Sequence, residues 1–353
     1  MNILITGATG FLGSEITKKI MEDFDKIFLL VRNPAQINKS IYSKTPKIIL
    51  IQGDLTERQI FSKKEDREMI LKNVDVILHA AALYDLQADA TECYITNIIG
   101  TFNLLTFSQQ IKKLKYFHYL STIAVKGDLQ GDLFESVERI PKVKYSNNYA
   151  QTKMSAELMV RKSIFINAKV RIYRPGIVVG DSTTGRINRI DGPYYFLKFL
   201  SGNFFITQMI KKLPFILFPF NPTTILPLIP VDMVCNWIAH MLTNPQGDDP
   251  VKIYNLVPEN NPTVKEFLAV CRDEFKLAGD FKPFSTFQPL YKAFARKLEI
   301  PSEILPYMND IGGYHIDNRL KDYPDLLDNF LFKNYQKKFF KGFNDFLKSE
   351  KIK

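Results

Sequence analysis

Residues 3–13 read Ile3-Leu4-Ile5-Thr6-Gly7-Ala8-Thr9-Gly10-Phe11-Leu12-Gly13. The aliphatic run is the pattern of a strand buried on both faces. The glycines follow it directly, and the spacing of apolar residues over 11–21 predicts an amphipathic helix. Strand, glycine turn and helix in that order make a dinucleotide-binding fingerprint. Gly7 permits the tight turn out of the strand, Gly10 lets the main chain approach a pyrophosphate, and Gly13 lets the helix pack on the strand. The N–H groups and dipole of the helix N-terminus favour the anion. A glycine pattern alone is weak, since a ligand-free turn uses the same residues. Its position between strand and helix makes it specific.

Working outward, short apolar runs alternate with amphipathic stretches. Strands are predicted at 2–6, 26–31, 47–52, 74–79, 116–121 and 169–174, with helices at 11–21, 90–111 and 149–165. This alternation implies an α/β fold, a Rossmann-type doubly wound parallel sheet with helices on both faces. Ligands of such sheets bind at the carboxyl ends of the strands. After Pro175 the pattern loosens. Residues 181–230 are rich in Gly, Pro, Tyr and Phe. The uncharged stretch 213–230 holds five prolines, too many for a membrane-spanning helix, and reads as an apolar loop or lid. Further on, a helix is expected at 231–242, a strand at 252–256, and helices at 264–276, 286–298 and 334–348. The expected organisation is a nucleotide-binding domain over 1–180 and a smaller, mostly helical substrate lobe over 181–353, with the segment 225–256 returning to the main domain.

Composition narrows the class. The 353 residues are 46% apolar and 24% charged, as in a soluble globular protein, and allow one large domain or two unequal lobes. Cys93, Cys235 and Cys271 are too few for a disulfide framework, and His79, His118, His240 and His315 lack metal-ligand spacing, so no metal is expected. A reducing, cytoplasmic setting fits, and the start of the chain has no signal-peptide pattern. The net charge is +10, and residues 331–353 carry seven lysines against Asp345 and Glu350. That balance suits anionic partners such as a membrane surface or phosphorylated ligands. No nucleic-acid motif accompanies it, and a solvated lysine-rich helix explains it as well.

The ends of the later strands carry the chemistry. Dinucleotide folds that bind NAD place an acidic residue after the second strand. Here Arg32 stands there, suited to pair with a 2′-phosphate, which argues for NADP. Asp54 follows the third strand, where it would accept from an adenine amino group or cap a turn. His79 ends the fourth strand and is expected to satisfy a backbone group, while Ala80, Ala81 and Ala82 leave room for a cofactor. Tyr149 and Lys153 are spaced i, i+4, so both face one site. A nearby ammonium would favour the phenolate and make Tyr149 a usable acid and base. Ser121 and Thr122 offer hydroxyls at the end of the fifth strand, placed to steady a developing oxyanion.

Taken together, TGATGFLG at 6–13, STIAV at 121–125, YAQTK at 149–153 and Arg174-Pro175-Gly176 resemble the extended short-chain dehydrogenase/reductases. HAAALYDLQADA at 79–90, YRPGIVVGDSTTG at 173–185 and RIDGPYY at 189–195 narrow the likeness to bacterial fatty acyl-CoA reductases and the thioester-reductase or male-sterility group. The resemblance implies that Thr6, Gly7, Thr9, Gly10, Phe11, Leu12 and Gly13 cradle the pyrophosphate. It implies that Arg32 meets the 2′-phosphate, that Asp54 and Leu55 border adenine, and that Ala80, Ala81 and Ala82 line the cofactor. Asn97 would support the strand ends, and Pro175, Gly176 and Ile177 would flank the nicotinamide. Thr122, with Ser121 beside it, would be the catalytic hydroxyl, Tyr149 the proton donor, and Lys153 the ribose-binding partner that tunes it.

The expected activity is NADPH-dependent reduction of a fatty acyl thioester or fatty aldehyde. Other extended-family reactions remain open (a hydroxysteroid- or flavonol-type carbonyl reduction, or nucleotide-sugar epimerisation or dehydration), as does a non-catalytic NADP sensor. Seven phenylalanines in 194–230 suit an acyl chain or a lobe core equally well. Lys198, Lys211 and Lys212 are candidate contacts for a CoA phosphate. Phe339, Phe340, Phe343 and Phe346 recur at helical spacing among lysines. They would rest on the inner face of an anionic membrane or, the favoured reading, pack on the domain. A homodimer is compatible with the fold class.

Overall fold

The computed structural model describes residues 1–37, 42, 45–138, 143–163, 165, 167–202, 204–284, 305–326 and 331–352. The first half runs β1 (Asn2–Thr6), α1 (Phe11–Lys19), β2 (Lys26–Val31), β3 (Ile48–Gln52), α2 (Lys64–Asn73) and β4 (Val76–His79). A long helix, α3, follows in three pieces: Ala90–Cys93, a π-helical turn at Tyr94–Ile99, and Gly100–Ser108. Then come β5 (Tyr116–Leu120), α4 (Asn148–Lys162) and β6 (Lys169–Pro175). The second half contains β7 (Ile177–Val179), α5 (Pro193–Ser201), α6 (Phe204–Lys212), β8 (Phe215–Phe218), β9 (Leu228–Pro230), α7 (Val231–Thr243) and β10 (Val251–Leu256). It ends with α8 (Val264–Phe275), β11 (Asp280–Pro283), α9 (Asp317–Asp322) and α10 (Phe332–Ile352).

Seven parallel strands form the main sheet in the order β3-β2-β1-β4-β5-β6-β10. The order reverses between β1 and β4, and that switch point opens a crevice at their carboxyl ends. The continuous run Ile27-Phe28-Leu29-Leu30-Val31 is buried because the sheet is covered twice. On one face Ile3, Ile5, Ile27 and Leu29 pack with Ile16 of α1 and Val234, Ile238 and Met241 of α7. On the other, Leu4, Phe28 and Leu30 pack with Leu104 of α3 and Val160 of α4.

A second core gathers Tyr194, Phe196, Phe218, Leu228, Phe267, Phe339 and Phe343. The stretch 213–230, expected as loop or lid, contains two strands. β8 pairs with β11, and β9 pairs with β7. Prolines mark strand ends and turns here, and β9 closes on Pro230, where the missing N–H breaks no ladder. Phe196, Phe218 and Phe220 are buried, whereas Phe215 is exposed. The phenylalanine face of α10 is spent on this core, with Phe339, Phe340 and Phe343 at most 3% exposed, so it is not the membrane-contacting face considered above. The helix expected over 286–298 lies outside the described residues. Among the described residues no helix is long and apolar enough to cross a membrane.

Candidate active site

The glycine turn begins at Gly7, whose φ of +77° an L-side chain rarely adopts, and a Cβ there would meet Ala81 N at 2.5 Å. A Cβ on Gly13 would stand 2.1 Å from Gly7 O, so α1 packs directly on the turn. Gly10 N donates to Gly7 O at 3.0 Å and closes the loop. Gly10 is also the N-cap of α1, and no side chain caps that end. The first amides of α1 therefore face the crevice available to an anion, which fits a pyrophosphate.

Beside the loop lies a cleft of about 520 Å³, whose lining includes Gly7, Gly10, Phe11, Leu12, Gly13, Ala80 and Ala82. Ser121, Thr122, Tyr149, Lys153, Pro175, Gly176 and Ile177 line it too, and Phe196, Phe218, Leu226, Leu228 and Phe267 supply much of its apolar wall. Other expected residues stand outside this lining. Thr6 is buried, its Oγ1 2.7 Å from His79 Nδ1, and it accepts from Ala81 N. Thr9 is exposed on the loop, and Arg32 is exposed at the end of β2. Asp54 accepts from Thr56 N and Oγ1, both at 2.9 Å, so it caps its own turn. Leu55 packs beside Gly100, and its carbonyl accepts from Asn103. Asn97, in the π-helical turn of α3, accepts from Leu83 N at 2.8 Å and donates to Thr152 at 3.0 Å. It ties the loop after β4 to α4.

His79 departs from expectation. Its ring bonds two hydroxyls, Thr6 Oγ1 and Thr101 Oγ1, rather than a backbone group. Burial first, then the charge of Lys153, holds its pKa down at about 3, so it is a neutral strut.

α4 carries the candidate pair, Tyr149 and Lys153. Asn147 caps it by accepting from Ala150 N at 2.8 Å, and Tyr149 follows at once. Tyr149 is 7% exposed, and burial raises its pKa well above the ordinary 10, against a smaller opposing pull from a hydrogen bond with Thr122. The Lys153 ammonium donates to Leu120 O at 2.6 Å and lies 4.2 Å from the centre of the Tyr119 ring. Burial pushes it down to about 7. The expected depression of Tyr149 by Lys153 is therefore not seen. Burial dominates both groups, and Tyr149 is held as a neutral phenol, the form that gives a proton.

The two adjacent hydroxyls separate. Ser121 donates to Glu157 at 2.5 Å, deep under the site. Thr122 caps the turn over Ile123–Lys126 by accepting from Ala124 N, and it is the hydroxyl that meets Tyr149. Glu157 is fully buried and also binds Arg161 at 2.5 Å and Arg174 at 2.7 Å. Burial opposes its charge, but Arg174 and Arg161 outweigh it and bring the pKa to about 2. Sequence reading missed this cluster although the signal was present: residues 149, 153, 157 and 161 continue one i, i+4 stripe. The Tyr84 ring was missed as well. It meets Tyr149 edge-on at 4.7 Å, with the Arg189 guanidinium 4.4 Å from its centre. The three cysteines are buried and their thiols raised, first by burial, so none is poised as a nucleophile.

A doubly wound sheet, a glycine turn at its switch point and a Tyr/Lys/Thr set over the same cleft define an extended short-chain dehydrogenase/reductase. The profile of the NAD-binding male sterility protein family matches residues 5–238, more than half of the chain, and the chain belongs to that family. It is 26% identical over 283 residues to fatty acyl-CoA reductase 1 of Pongo abelii, covering 67% of this chain and 53% of that protein. Against L-2-aminoadipate reductase of Saccharomyces cerevisiae it is 25% identical, over 77% of this chain and 21% of that one. The chain thus spans about half the length, or less, of these curated relatives. Among solved structures, the terminal R domain of the myxalamid PKS-NRPS pathway superposes with a TM-score of 0.77 at 22% identity, covering 97% of this chain and 90% of that one. UDP-glucuronic acid 4-epimerase of Bacillus cereus, in complex with NAD, gives 0.65 at 17%, with 98% and 99% covered. These structural likenesses speak for the fold. The chain carries an NAD-binding domain of the extended short-chain dehydrogenase/reductase type.

Proposed function

We propose that the protein is an NADPH-dependent reductase of a fatty acyl thioester or fatty aldehyde. The observation that carries this reading is the cleft itself. One cleft is lined by the glycine turn, by Thr122, Tyr149 and Lys153, and by Phe196, Phe218, Leu226, Leu228 and Phe267. A chamber of that lining suits an alkyl chain and offers little to a sugar nucleotide. Exposed Arg32, where NAD-binding folds use an acidic residue, supports NADP.

The nicotinamide, when bound, supplies the hydride. The protein's part is to hold the carbonyl, receive its charge and deliver a proton. The Thr122 and Tyr149 hydroxyls steady the oxyanion that forms as the carbonyl is reduced, and the Tyr149 O–H gives its proton to that oxygen. Lys153, with a pKa near neutrality, is set to return a proton to Tyr149. For a thioester the product is a hemithioacetal, which expels the thiol and leaves the aldehyde. No cysteine is needed.

The test is NADPH oxidation, followed by absorbance, with acyl-CoAs and matching aldehydes of several chain lengths. NADH serves as control and gas chromatography identifies the product. Thioester or aldehyde turnover with NADPH preferred is expected, falling at least ~10²-fold in Tyr149→Phe. Wild-type turnover in Tyr149→Phe, or no turnover of any acyl compound, would sink the assignment.

A further inference from the structure

The substrate lobe has a second face that the cleft does not use. Along β8 side chains alternate: Ile216 and Phe218 point inward, and Phe218 lines the cleft. Phe215 and Leu217 point outward and are 49% and 51% exposed, with Leu213 just before them at 42% and Met209 of α6 at 70%. Four of the large exposed apolar side chains thus fall within nine residues. Lys211 and Lys212 sit between Met209 and Leu213, and exposed Lys282 stands opposite Leu217 in the register of β8 with β11. Residues 204–218 contain no acidic side chain. Asp280, opposite Phe215, is already paired with Arg272.

We infer that this face docks on an anionic lipid surface. Exposed apolar side chains interleaved with lysines enter the headgroup boundary while the ammonium groups meet lipid phosphates. The geometry adds a functional reason, which rests on the acyl-substrate reading. The strand that would lie on the bilayer is the strand whose other face walls the acyl chamber, so the lipid substrate is drawn from the surface the lobe touches. The Phe/Lys helix α10 does not provide this contact, because Phe339, Phe340 and Phe343 are buried and Phe346 packs, half-buried, against the lobe core.

The test is co-sedimentation of the full chain with vesicles of phosphatidylcholine containing phosphatidylglycerol, and with phosphatidylcholine alone. Turnover of a short, water-soluble acyl-CoA is measured in parallel. The wild type is expected to bind the anionic vesicles and to release at high salt. Phe215→Glu/Leu217→Glu, and separately Lys211→Ala/Lys212→Ala, should each bind roughly tenfold more weakly. Circular dichroism melts should match the wild type, and soluble turnover of Phe215→Glu/Leu217→Glu, whose side chains lie outside the cleft, should be unchanged. Wild-type binding by both variants, or no vesicle binding by the wild type, would overturn the inference. So would light scattering that shows this face joining two copies of the chain. Vesicle binding lost in the variants, together with no acyl turnover by any form, would leave the surface standing and remove the proposed activity instead.

Discussion

At the level of single residues, the adjacent hydroxyls Ser121 and Thr122 illustrate what a motif leaves unsaid. Both looked catalytic in sequence. Only their directions separate them, because successive residues leaving a strand point to opposite sides. Ser121 serves Glu157 and Thr122 serves Tyr149. Thr122→Ala should therefore cost ~10²-fold or more in turnover with little change in melting temperature. Ser121→Ala should cost stability, about 1–3 kcal/mol for a bond lost to a buried carboxylate, and much less turnover. Equal effects of the two on turnover would refute this division of labour. Lys153 gives a second prediction, in pH. Its folded pKa is near 7, below the ordinary 10.5 of an unfolded chain. Between those values the unfolded chain holds a proton that the folded one has released, so stability rises with pH. Glu135, pushed up to about 8 chiefly by burial, acts in the opposite sense, since the folded chain keeps a proton there that the unfolded chain has lost. Lys153→Met removes only the first contribution. Denaturant midpoints measured from pH 6 to 10 should then rise more steeply in the wild type than in the variant, and parallel curves would disprove the buried-ammonium reading.

At the level of elements, the sheet strands and the turn between β1 and α1 were legible because burial on both faces and a tight glycine turn write themselves into local sequence. β1 and β2 fall at their predicted bounds. The region 181–230 was not legible in the same way. Its helices and short strands are stabilised by contacts across the lobe, so no single periodicity marks them. One such contact joins α10 to the turn after β7. Gly185, at a φ of +79°, faces Gly342 so closely that a Cβ on Gly342 would stand 1.6 Å from Gly185 O. Neither glycine signals this by itself, since one lies in a loop and the other inside a helix, where glycine is otherwise unfavourable. Gly342→Ala should force α10 off the lobe and destabilise it by roughly 1–3 kcal/mol, as overpacking does. Chemical denaturation would show it, and unchanged stability would mean that the turn yields freely.

Across the whole molecule, the cleft joins a motif-bearing wall to an apolar wall contributed by the lobe. The motif residues of its lining were readable in sequence, whereas its apolar wall depends on which phenylalanines of the lobe face inward. Composition could not decide between core and substrate chamber, and in the fold some lobe residues belong to the core and line the cleft as well. Phe218 is 1% exposed and lines the cleft, with the Phe196 ring 5.1 Å away edge-on and the Phe281 ring at 6.3 Å. On the acyl-substrate proposal this ring, backed by other aromatics, bounds the chain, so its size should set how much acyl chain fits. Phe218→Ala would deepen the chamber, at a stability cost of about 3–5 kcal/mol for a buried phenylalanine. The expected result is a shift of kcat/KM toward longer chains, with loss on short substrates that no longer fill the space. Phe340→Ala, at a buried lobe residue that does not line the cleft, should lose stability without that shift. An identical chain-length profile in wild type and Phe218→Ala would place the acyl group elsewhere in the cleft.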